Sequence, residues 1–84
     1  MSKWTKILDL VLRGTNDASI SFDDLCGLLE RMGFDRRVRG SHNIFRKEGV
    51  REMPNLQRSG AKAKSYQVRQ VRDIIVKNRL GEEI

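Results

Sequence analysis

A chain of 84 residues with 38% apolar and 33% charged content is long enough for one small domain that buries about 60–65% of its unfolded surface, and too apolar for a disordered tail. A single cysteine excludes an internal disulfide, and no apolar run approaches the length of a membrane span or a secretion signal, so a place in the cytoplasm is expected. The net charge of +6 is unevenly placed: residues 1–33 carry four Lys/Arg against five Asp/Glu, and residues 34–84 carry thirteen against six. A basic half of that kind suits a polyanion, of which nucleic acid is the commonest, although a solvated basic surface has the same composition.

Residues 3–13 read as a helix, with Trp4, Ile7, Leu8, Val11 and Leu12 on one stripe, Ser2 placed to cap it and Gly14 to end it. A short polar loop leads to a second helix over 21–32. Ser21 and Asp24 have capping-box spacing, with Asp in place of the usual Glu. Phe22, Leu25, Leu28, Leu29 and Met32 form the buried face, and Gly33 stops the helix. Cys26 falls within this apolar pattern and reads as a small core residue rather than a catalytic thiol. Neither helix carries a chemical signature, since Asp23 and Asp24 are accounted for as capping residues.

From Phe34 the period changes. Three strands are expected over 34–39, 42–47 and 50–56, joined by turns at Gly40-Ser41 and at Lys47-Glu48-Gly49, with Gly49 needing positive φ. In the first strand Val38 is the plausible inward residue. In the second, Phe45 sets the parity: Phe45 and Asn43 face the helices, and His42, Ile44 and Arg46 face the other way. The third strand is ambiguous, because Val50 and Leu56 favour one parity and Met53 the other, and Pro54 marks it as an edge. A basic loop with Arg58, Lys62 and Lys64 precedes a last helix over 65–80, capped by Ser65 and stopped by Gly81. The expectation is an α+β fold: a three-stranded antiparallel sheet with helices on one face, and one helix more at the N-terminus.

The candidate site follows from this layout. His42 is the only imidazole, hence the one side chain that trades protons near neutral pH. It stands on a sheet face the helices leave open, with Arg37, Arg39, Arg46 and Lys47 close in sequence. Lys62 and Lys64 are candidate phosphate contacts from the loop. RNA carries its own nucleophile, the 2′-OH, so a base, cations to steady the phosphorane and a proton for the leaving oxygen suffice to cut it. With one histidine, that last proton must come from a lysine, Tyr66 or water. One His and one Cys in separate elements make no metal-ligand set, and no phosphate-binding glycine loop occurs, so no metal or cofactor is expected.

The α-β-β-β-α order from Ser21 onward resembles the double-stranded-RNA-binding-domain fold. The Gly40-Ser41-His42 motif, a few residues after a helix ending in Gly33-Phe34, resembles that of the HicA toxins of bacterial toxin–antitoxin systems, and the helix beginning Tyr66-Gln67-Val68-Arg69-Gln70-Val71-Arg72 looks like a branch of that family with an added N-terminal helix. The resemblance covers about residues 19–80. It implies an mRNA-cutting, metal-independent endoribonuclease neutralised by a HicB-type antitoxin covering the sheet around His42 and Ile44. It also implies His42 as the catalytic residue, with Gly40, Ser41 and Asn43 supporting it. Many relatives carry a second histidine where this chain has Asn43. A non-catalytic RNA-binding module and an inactive toxin variant are the alternatives; a helical DNA reader is disfavoured by the strands.

Overall fold

The computed structural model describes residues 2–83. Helix α1 (Lys3–Arg13) starts at Ser2, whose hydroxyl accepts from the Thr5 amide, and ends at Gly14, which takes the left-handed conformation (φ 72°). A single 3-10 turn, Asp17–Ser19, leads to α2 (Phe22–Arg31), capped by Ser21 accepting from the Asp24 amide. Strands β1 (Asp35–Arg39), β2 (His42–Arg46) and β3 (Asn55–Gln57) follow, then α3 (Ser65–Lys77) and a closing 3-10 turn, Leu80–Glu83. The fold is α+β, with an open antiparallel sheet ordered β1-β2-β3 and α1 added ahead of the α-β-β-β-α order.

The core lies between the inner face of the sheet and the three helices. Phe45 of β2 and Leu56 of β3 meet Phe22, Leu25, Leu28 and Leu29 of α2, Val68, Val71 and Ile75 of α3, and Val11 of α1, all buried. Removing Phe45 from water alone contributes about 1.5–3 kcal/mol. Cys26 is buried in the same core, where desolvation pushes its thiol up to about 11. Gly27 is required for α1 to dock on α2, because a Cβ there would stand 2.3 Å from Cη2 of Trp4. Arg72 of α3 ties α1 to the following turn: its guanidinium donates to the Val11 carbonyl at 3.2 Å and to the Asp17 carboxylate at 2.9 Å.

Several expectations need correction. The third strand is short. Residues 50–54 leave the sheet, because Glu52 is drawn to the end of α3, where Lys77 and Asn78 bind its carboxylate at 3.1 and 3.2 Å; a backbone hydrogen bond, and after it the contacts with Asn78 and Lys77, hold the Glu52 carboxyl below its usual range. Pro54 lacks an N–H but still accepts from the Phe45 amide, the last link before β3 proper. The parity ambiguity resolves in favour of Leu56, which is buried, while Met53 is exposed. Val38 lies on the inner face opposite Asn43, yet it is 60% exposed, since β1 is an edge strand exposed along its whole length. The last helix stops at Lys77 with Asn78 as its C-cap, and Gly81 falls in the 3-10 turn; at its start Lys64, not Ser65, is the N-cap.

Candidate functional site

The β1–β2 hairpin turns through two residues, Gly40 and Ser41, with Arg39 paired to His42. Gly40 adopts φ 60°, and the first position of a two-residue hairpin loop with positive φ is where a type II′ turn takes glycine. The turn fixes the register, and the register fixes the outer face: Asp35 opposite Arg46, Arg37 opposite Ile44, Arg39 opposite His42. Strand β3 extends each of the last two rows, Asn55 beside Ile44 and Gln57 beside His42. Directly opposed side chains in an antiparallel pair have Cβ atoms about 4.5–5.5 Å apart, so the Arg39 and His42 side chains are neighbours.

His42 is exposed on this face. Its Nδ1 lies 3.1 Å from Oδ1 of Asn55. In the tautomer with the proton on Nδ1, the imidazole donates to this carbonyl oxygen and Nε2 keeps its lone pair. Arg37, Arg39 and Arg46 are exposed as well, and none of them makes an ion pair among the described residues. The arrangement is an exposed imidazole flanked by guanidinium groups without ion-pair partners among the described residues.

The other residues singled out from the sequence lie elsewhere. Asn43 is buried on the inner face, where its Oδ1 accepts from Nε and Nη2 of Arg36 at 3.0 and 2.8 Å, and its Nδ2 donates to the carbonyls of Leu56 and Ser41. It braces the hairpin and stands across the sheet from His42. Ser41 is held at the tip by Gln57, whose Nε2 donates to its Oγ at 3.1 Å. Lys47 folds back over Gly33, just beyond α2, where its ammonium suits the negative end of the helix. Lys62 donates from Nζ to the Ser19 carbonyl, and its backbone forms a bridge with Ser21. The amides of Phe22 and Ala63 complete that pairing through the carbonyls of Ala61 and Ile20. Lys64 caps α3, its amide donating to Oε1 of Gln67. The loop that holds both lysines is therefore tied to the helix layer rather than to the open face. Arg58 joins it there, stacked 4.8 Å above the Phe22 ring and paired with Asp23.

Two contributors carried no signal in the sequence. Asn55 touches the imidazole across thirteen residues of chain, a contact that depends on the β2–β3 register. Arg36 is the partner of Asn43, and it was indistinguishable from its neighbours Arg37 and Arg39 until strand parity was fixed. No family model matches this chain, and neither the curated proteins nor the solved structures compared with it include a significant match.

Proposed function

We propose that this protein is a toxin-type endoribonuclease of the HicA kind, cutting mRNA without a metal and silenced by a HicB-type antitoxin that covers the sheet around His42 and Ile44. The observation that carries the reading is the imidazole itself, exposed on the uncovered face with Nδ1 held by Asn55 and Nε2 free. The Gly40-Ser41-His42 motif at the hairpin tip adds the resemblance.

In this reaction Nε2 of His42 takes the proton of the ribose 2′-OH, and the 2′-oxygen attacks the adjacent phosphorus. The 5′-oxygen of the next nucleotide leaves, giving a 2′,3′-cyclic phosphate and a 5′-OH end. Arg39, facing His42 across the strands, neutralises the charge that builds on the non-bridging oxygens. The outer face has no second imidazole, and Tyr66 is on the first turn of α3, in the helix layer. Water therefore protonates the leaving oxygen, which makes for a slow enzyme.

The test is induction of the wild type and of His42→Ala in a bacterium lacking the antitoxin. Growth arrest by the wild type alone is expected, with cleavage by purified His42→Ala falling about 10²–10⁴-fold and RNA binding retained. Arrest by both or by neither removes the catalytic assignment. Binding without cleavage by the wild type would instead identify an RNA-binding module, the reading that the missing second proton-transfer group favours.

A further inference from the structure

The outer face holds more than the imidazole and its cations. Beside the His42 row lies a groove of about 350 Å³, lined by Asp35, Arg37, Arg39, Ile44, Arg46 and Met53. Its floor is apolar: Ile44 is partly exposed at mid-strand, and Met53, 55% exposed, lies where residues 50–54 leave the sheet. Its walls are guanidinium groups without ion-pair partners among the described residues.

Resting on the ribonuclease reading, we infer that this groove is a nucleobase subsite and that the substrate is single-stranded RNA. A phosphate gains nothing from an apolar floor, and at the far end the Asp35 carboxylate beside Arg46 repels it. A base fits on every count. Its face lies on the Ile44 and Met53 side chains, a polarizable thioether among them, and guanidinium planes stack against it as they do in single-strand recognition. The Asp35 side chain takes a hydrogen bond from an exocyclic amino group. His42 is two residues from Ile44 on the same face, about 6.7 Å along the strand, so a base seated here belongs to a nucleotide adjoining the phosphodiester held at the imidazole. In a duplex the bases are stacked and paired and cannot reach the floor, which makes the subsite a selector for unpaired RNA.

The experiment uses the full chain carrying His42→Ala, so that bound RNA stays intact. Fluorescence anisotropy measures its affinity for a short labelled single-stranded RNA, for the same RNA with an abasic residue at each position in turn, and for the RNA annealed to its complement. One abasic position is expected to weaken binding about fivefold to tenfold, with the duplex binding more weakly than the single strand. Met53→Ser, at an exposed position that leaves the core intact, should erase the dependence on that position without altering the melting temperature. A flat abasic scan overturns the subsite, as does position dependence that survives Met53→Ser, or duplex bound as tightly as single strand. The two readings fail separately: cleavage by the wild type with a flat scan sinks the subsite alone, and a position-dependent scan without cleavage sinks the nuclease alone.

Discussion

On the proposed reading, the tautomer of His42 is set by Asn55. With the proton on Nδ1, its Oδ1 accepts from the ring at 3.1 Å and the basic lone pair is the one at Nε2. Asn55→Ala should release that preference, which ¹⁵N shifts of the imidazole ring would report without recourse to activity. Because one neutral hydrogen bond is worth about 0.5–1.5 kcal/mol, cleavage should fall roughly twofold to tenfold, far less than on removing the imidazole. An unchanged tautomer in Asn55→Ala would refute this positioning role. Cys26 illustrates the opposite use of a titratable group. Its thiol is buried against the α2 core and raised from 9.0 to about 11 by desolvation. The unfolded chain then loses this proton before the folded one does. The thiol's contribution to stability is whole below pH 9 and drains away as pH rises toward 11. Native protein at pH 8 should resist alkylation by iodoacetamide and react only on addition of denaturant; rapid modification of the native thiol would contradict the burial.

Among the elements, the contact of α1 with α2 is the most exposed to a single change. Alanine at an interior helix position ordinarily gains up to about 1 kcal/mol over glycine. At Gly27 the new Cβ meets the Trp4 ring at 2.3 Å, and overpacking of that kind costs about 1–3 kcal/mol. The clash wins, so Gly27→Ala should lower the melting temperature and shift Trp4 fluorescence to the red as α1 is pushed off. In a Trp4→Leu background the same change should be neutral or stabilising; a loss of equal size in both backgrounds would show that the ring is not the obstacle. The helices were legible in the sequence because their signals are local: Ser2, Gly14 and Ser21 act on residues one turn away, and the apolar stripes repeat at the helical period. The parity of β2 was legible from Phe45 for the same reason. Residues 50–56 were not, because Glu52 is pulled from the sheet by Lys77 and Asn78, some twenty-five residues further on. Val38 had the right parity and the wrong burial, since alternation gives a side and not a strand's place at the edge of the sheet. In the site, His42 and its arginines followed from motif and alternation, whereas Asn55 depended on a pairing register that no local pattern encodes. Lys47, Lys62 and Lys64 are close to the site only along the chain.

At the scale of the whole molecule, the basic half of the sequence holds cations with acidic partners and cations without them among the described residues, exposed Arg51, Arg69 and Arg79 belonging with the second kind. Arg36, Arg58, Arg72 and Lys77 are committed to Glu30, Asp23, Asp17 and Glu52, and Lys62 to the Ser19 carbonyl, all in or against the helix layer. Arg37, Arg39 and Arg46 stand on the open sheet face with no such partner among the described residues. An excess charge with acidic neighbours is already neutralised and releases few counterions when RNA arrives; an uncommitted one releases its full share. For single strands the logarithm of affinity falls with the logarithm of salt by about 0.7 per phosphate neutralised. Replacing Arg37, Arg39 and Arg46 by glutamine should therefore reduce that slope by about 2, while Lys62→Gln with Lys64→Gln, in the loop tied to the helix layer, should leave it nearly unchanged. Anisotropy titrations of a short single-stranded RNA over a range of potassium chloride concentrations would distinguish them. The reverse pattern, a slope carried by the two lysines, would move the RNA to the helix side and away from His42. The three arginines share a face with the only imidazole in the chain; on the proposed reading that face both attracts and cuts the polyanion, and binding and cleavage should be lost in that order as the arginines are removed one by one.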